Sequence, residues 1–185
     1  MNLPATSVAW NSVSHCFNSN YDGGMALVRI LVDGYSLLHS WPELAAGRAR
    51  HSAAARDELV SVLTQYQDSL GTPVTIFFDG SGARPHSKHD SPGHIEVLFS
   101  GAGRTADDLI ERATHRFQAY GEVLVVTDDR AEQDIVIGLG GQVASCGNFL
   151  QMLGAELNEL AADLKHHNRT EQHRYRHAVK RTIAK

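Results

Sequence analysis

Aspartates stand at the ends of three apolar runs: Asp33 after residues 27–32, Asp79 after 74–78, and the pair Asp128 and Asp129 after 123–126. Asp107 and Asp108 follow a fourth such run, 95–99, and open the segment behind it. Asp107 and Glu111 are four residues apart, so on a helix they share a face, away from the stripe of Leu109, Ala113 and Phe117. Carboxylates converging on one rim repel each other by roughly 1 to 4 kcal/mol per close pair at surface-like dielectrics. A divalent cation relieves that repulsion, and oxygen-only donors suit Mg²⁺ or Mn²⁺, which keep waters for substrate phosphates. The chemistry such a site supports is phosphodiester hydrolysis. The cation activates a water and stabilises the charge that develops at phosphorus, so no serine, cysteine or histidine nucleophile is required. Each aspartate alone has a simpler explanation. Asp-Gly after a strand is ordinary turn chemistry, and acids in a first helical turn suit the helix dipole. Their coincidence on one edge is what favours a metal site.

That coincidence depends on the elements that carry the acids. Residues 27–32, 74–78, 95–99 and 123–126 read as buried parallel strands, and 142–144 as a short fifth. Between them, 54–70 repeats Leu59, Leu63, Tyr66 and Leu70 at helical spacing and closes with Gly71 and Pro73. Thr105 can cap a helix with Leu109, Ile110, Ala113 and Phe117 as its core stripe, and 131–137 is a short helix before Gly138, Gly140 and Gly141. A last helix, about 145–166, repeats Leu150, Leu153, Leu157, Leu160 and Leu164; its stripe fits core packing or, if it outruns the sheet, a dimer seam. Strand and helix alternate, which predicts a doubly wound parallel α/β sheet of about five strands flanked by helices, with a C-terminal helix. Ligands of such sheets bind at the carboxyl ends of the strands, where the acids are.

A chain of 185 residues fits one domain. Residues 1–24 lack periodicity and read as a disordered leader, with Met25 as a candidate natural start; 25–165 forms the α/β domain and 166–185 a basic tail. Net charge is −4, but from Lys165 onward there are seven Lys and Arg against Glu171 alone, so the body is strongly acidic. Lys165, Arg169, Arg174 and Arg176 are therefore candidate phosphate contacts on an arm, with a solvated tail as the alternative. No apolar run is long enough to span a bilayer, and no secretory signal opens the chain. Two cysteines, Cys16 and Cys146, make no disulfide framework and fit a reduced, cytoplasmic protein. Tyr35 and Trp41 could stack on unpaired bases, although Trp41-Pro42 more simply starts a helix. Arg104 and Arg130 are placed either to meet phosphate or to form surface ion pairs. His86, His89 and His94 have no spacing that would converge on zinc.

Four blocks are more specific than any single acid: Asp33-Gly-Tyr-Ser36, Trp41-Pro-Glu-Leu44, Thr105-Ala-Asp-Asp-Leu-Ile-Glu111 and Thr127-Asp-Asp-Arg-Ala-Glu-Gln133. In order and spacing the chain resembles the YacP-like branch of the NYN domains, bacterial PIN-like nucleases, from about Leu27 to the final helix. The resemblance implies a PIN-like sheet of order 3-2-1-4-5 and endoribonuclease activity with Mg²⁺ or Mn²⁺. It matches the family's metal-binding aspartates to Asp33, Asp107 and Asp129, and sets Asp128 where the family has serine, as a spare ligand or a cap. Asp108 and Glu111 would then support the site. It also implies messenger RNA as substrate, with the ribosome as a partner. Ser36 replaces the family's asparagine, a shorter side chain with one donor.

Three readings follow. The first is a Mg²⁺- or Mn²⁺-dependent endoribonuclease, monomeric or weakly dimeric, with Tyr35, Ser36, Arg104, Arg130 and the basic tail touching RNA. The second is a non-catalytic RNA- or ribosome-binding module of the same fold. The third is a nucleotide-binding protein using Gly101-Ala-Gly-Arg-Thr-Ala106, whose G-x-G-x-x-A pattern follows a strand and opens a helix but lies beside Asp107 and Asp108.

Overall fold

The computed structural model describes residues 25–183 apart from 81–94 and positions 45, 48, 50 and 102. The expected leader, Cys16 and the histidines at 86, 89 and 94 lie outside the described residues.

Five strands, β1 (Leu27–Asp33), β2 (Val74–Phe78), β3 (Glu96–Phe99), β4 (Glu122–Val126) and β5 (Gln142–Ala144), form one sheet in the order β3-β2-β1-β4-β5. Every pairing is parallel, and Val32 stands level with Ile76 on one side and Val126 on the other. The helices are α1 (Gly34–Ser40), α2 (Ala53–Leu70), α3 (Ala106–Gln118), α4 (Arg130–Gly138) and α5 (Cys146–Ile183). The sheet is therefore the doubly wound one expected.

Strand alternation sorts the core into two layers. Ile30, Val32, Ile76, Phe78, Leu124 and Val126 face α1, α2 and the first turns of α5, meeting Leu37, Leu59, Leu63, Phe149 and Leu153. Leu31, Phe77, Val123 and Val125 face α3 and α4, meeting Ile110 and Val136. Coverage on both faces explains why β1, β2 and β4 are almost wholly apolar.

Helix ends follow local chemistry. The Ser52 hydroxyl accepts the Ala55 N–H at the start of α2, and Gly71, at φ 71°, closes it in the left-handed region that glycine enters without strain. Leu70, expected in the core stripe, is exposed at that end, while Ala55 joins Leu59, Leu63 and Tyr66 inside. Thr105 and Asp108 form a reciprocal capping box at α3.

Three expectations are corrected. A helix, α1, begins directly after Asp33 where no element was read, and Trp41-Pro42 ends that helix instead of starting one. Proline disfavours helical backbone in the residue before it, and Trp41 has left the helix at φ −121° and ψ 71°. The last helix runs to Ile183 without a break near 166, because 155–183 contains neither glycine nor proline. Its leucine stripe is buried at Leu153 but 55% exposed at Leu164. Among the described residues no helix is long and apolar enough to cross a membrane.

Candidate active site

The carboxyl edge is built twice from the same device. β1 ends at Asp33, whose Oδ1 accepts the N–H groups of Tyr35 (3.0 Å) and Ser36 (3.1 Å) and so caps α1. After the adjacent strand β4 the chain continues through Thr127 to Asp129, whose Oδ1 accepts the N–H groups of Ala131 (2.7 Å) and Glu132 (3.3 Å) and caps α4. Both caps are made through one oxygen, so each carboxylate keeps its position at the rim while its second oxygen is not tied to the helix. Gly34 follows Asp33 for a packing reason, not a turn: a Cβ there would run into the ring of Phe78.

A third acid comes from β2. Asp79 Oδ1 accepts the Ser100 hydroxyl (3.2 Å) and the Ala106 N–H (2.6 Å), fixing the start of α3 against the sheet. Asp107 is the next residue of that helix. The same bond settles the fate of the G-x-G-x-x-A loop. Its helix N-terminus is already occupied by Asp79 and by the Thr105–Asp108 box, so the dinucleotide reading loses the N–H groups it needs.

Beneath the rim lies a residue that sequence reasoning missed. Glu132 is only 3% exposed, and neither carboxylate oxygen has a partner in hydrogen-bonding geometry. Burial pushes its carboxyl up to about 7; nearby Thr127 offsets part of this, and the fields of Asp107, Asp33 and Asp129 add to it. In sequence, Asp129-Arg-Ala-Glu132 looks like a cap and its third helical residue, a common surface pattern. The signal that could have singled it out is spacing: Glu132 is three residues past a rim aspartate, much as Glu111 is four past Asp107.

The acids feel one another. Asp33 is raised above the usual carboxylate range by burial, against the lowering effect of its two backbone bonds, and is raised further by Asp107 and Asp79. Asp107 is raised by partial desolvation and then by Asp129 and Asp79. The structure thus brings Asp33, Asp107 and Asp129 into one electrostatic neighbourhood, with Asp79 beside them and Glu132 below. Among the described residues no three His, Cys, Asp or Glu side chains are grouped closely enough to hold a metal ion as they stand. The rim carboxylates raise one another's proton affinity, and their mutual repulsion favours positive charge.

The supporting candidates divide. Asp128 is a clamp: its carboxylate accepts the Ser40 hydroxyl (2.7 Å) and the N–H of Cys146 (2.8 Å), the first residue of α5. Burial would raise its carboxyl, but these bonds outweigh burial and hold it below the usual range. Asp108 is engaged in its capping box, and Glu111 stands exposed one turn beyond Asp107. Ser36 Oγ accepts the N–H of Asp128 (3.1 Å), stitching α1 to the end of β4. The Cys146 thiol beside it is buried and pushed up to about 12, an unreactive state. Tyr35 packs edge-on against Phe78 and His51. Arg104 and Arg130 are exposed near the starts of α3 and α4. Lys165, Arg169 and Arg174 are exposed on α5, and Arg176 lies on the same helix. Lys165 is 19 residues past Cys146, roughly 28 Å along the helix axis, so these cations are not gathered at the rim.

Central parallel strands that deliver aspartates from β1, β2 and β4 to one edge, in a sheet of order 3-2-1-4-5, define a PIN-like α/β domain of the nuclease class. The chain belongs to the YacP-like NYN domain family, whose pattern matches residues 30–185. It is 30% identical over 123 residues to the uncharacterised protein YacP of Bacillus subtilis (strain 168), covering 66% of this chain and 72% of that one. Its fold superposes on the crystal structure of Rae1 (YacP) from Bacillus subtilis with a TM-score of 0.60 at 27% identity, covering 74% of this chain and 79% of the other. The W164L mutant of the same protein gives a TM-score of 0.63 at the same identity, covering 74% and 80%. NYN domains are generally nucleases, so membership brings a nucleic-acid-directed function and RNA as the expected substrate class.

Proposed function

We propose that this protein is an endoribonuclease dependent on Mg²⁺ or Mn²⁺, acting in the cytoplasm on RNA, including messenger RNA presented by the ribosome. The observation that carries the reading is the buried Glu132 carboxylate, without a hydrogen-bond partner, under a rim of aspartates that raise one another's proton affinity. A buried acid with no partner is costly, and oxygen donors of this kind fit a hard divalent cation. Asp33, Asp107 and Asp129 would hold it, with Glu132 beneath. When bound, such a cation supplies Lewis acidity and neutralises charge at the scissile phosphate.

The protein's own groups do the positioning. Asp33 and Asp129 are locked by their caps and cannot rotate away without breaking two N–H bonds each. Asp79 sets where α3 begins, and with it the place of Asp107. Ser36 and Asp128 join α1, β4 and α5, so the rim is braced from both sides.

The test is cleavage of a single-stranded RNA, with and without ribosomes, in Mg²⁺ and in Mn²⁺. Asp33→Asn keeps an acceptor for the α1 cap, so its melting temperature should match or exceed that of the unaltered protein while cleavage disappears. Full activity in that variant removes the reading. RNA binding without cutting by the unaltered protein, under every condition, transfers it to a non-catalytic RNA- or ribosome-binding module.

A further inference from the structure

Beside the acid rim one cation is oriented yet not neutralised. Arg56, early in α2, donates from Nη1 to the Tyr35 hydroxyl (3.3 Å) and to the backbone carbonyl of His51 (2.9 Å). Its guanidinium lies over the rings of Phe78 and Phe99, 6.0 and 5.9 Å from their centroids. Those two rings stack on each other at 5.5 Å, and Tyr35 meets Phe78 edge-on at 5.1 Å. Every one of these contacts is with a neutral group. Among the described residues no carboxylate pairs with Arg56, and its Nη2 and Nε donate to nothing. Arg29 shows the contrast, paired with Glu96 at 2.9 Å.

The placement ties this cation to the rim. Tyr35 is two residues past Asp33 and donates its N–H to that carboxylate, and Phe78 directly precedes Asp79. An RNA strand leaving the rim over so acidic a body meets repulsion unless a fixed positive charge receives it. A guanidinium with a free edge is suited to this, because its planar fork matches two phosphate oxygens. Holding it in advance by a tyrosine, a carbonyl and two rings reduces the entropy lost when phosphate binds.

We infer that Arg56, held by Tyr35 and the His51 carbonyl, binds a backbone phosphate of the RNA next to the one being cut. The inference rests on the nuclease reading, and the measurement is chosen to fail separately from it. Affinity for a short fluorescent single-stranded RNA is followed by anisotropy over a KCl series at fixed Mg²⁺, in the non-cutting Asp33→Asn background. Adding Arg56→Gln should weaken binding by about tenfold and flatten the dependence of log affinity on log salt by about 0.7, one phosphate contact to a single strand. Arg56→Lys, which keeps the charge but not the fork, should retain the salt dependence and recover part of the affinity. Unchanged affinity and slope in Arg56→Gln overturn the inference, whatever happens to its melting temperature, and leave Arg56 as a packing residue. Should Arg56→Gln not fold, Arg56→Lys decides through affinity alone, and parental affinity there overturns the bidentate contact. Absence of cleavage in the unaltered protein counts against the nuclease reading only. Absence of RNA binding by the parent overturns both.

Discussion

Glu132 moves on folding from water into a buried site. Its carboxyl titrates near 4.5 in an unfolded chain and is raised to about 7 in the native one. Between those values the native state holds the proton more tightly, so the protein is most stable on the acid side and loses stability as pH rises through that window. A shift of this size corresponds to at most about 3 kcal/mol once the group is ionised. Glu132→Gln should therefore raise the melting temperature at about pH 8, leave it unchanged below about pH 4.5, and lose that advantage when Mn²⁺ is added to both proteins. An equal pH dependence in the two proteins would refute the assignment. Asp33, Asp107 and Asp129 were legible because each ends or follows an apolar run. Glu132 was not, because its burial is a property of the assembled layers, and its spacing from Asp129 is one that exposed helical acids such as Glu111 share. The roles of Ser36 and Asp128 were equally hidden: their bond joins residues 92 positions apart.

At the level of elements, the junction of β1 with α1 is the most constrained. Gly34 sits against Phe78, a buried ring of β2 that also supports Phe99 and the guanidinium of Arg56. Gly34→Ala forces that ring aside and should destabilise the fold by about 1 to 3 kcal/mol, read as a lower urea midpoint with an unchanged slope. A midpoint equal to that of the unaltered protein would show that the ring yields freely. The strands and the three helices α2, α3 and α4 were readable from apolar runs, helical spacing and the caps and glycines that bound them. Helix α1 was not: at seven residues, with buried side chains only at Leu37 and Leu38, it is too short to show a period. The extent of α5 was missed for the opposite reason. Residues 165–169 are exposed and no regular apolar stripe follows Leu164 in the sequence, so only the absence of breakers records its continuation.

Over the whole molecule, charge is separated: an acidic sheet edge at one place and a long helix bearing cations at another. Removing residues 166–185 takes away none of the described buried core, so the melting temperature should hold. RNA affinity should fall and become less sensitive to salt, by an amount set by how many phosphates the arm neutralises. Unaltered RNA binding by the shortened chain would make this stretch a solvated spacer. The sheet order has another consequence, in time. β1 is central and is the first strand among the described residues, yet its neighbour β4 begins at residue 122. Parallel pairing across so long a loop is late and slow to form. A polypeptide made only through β2 therefore carries Asp33 and Asp79 but neither Asp129 nor Glu132, and the acid rim is assembled only after β4 and α4 have been made.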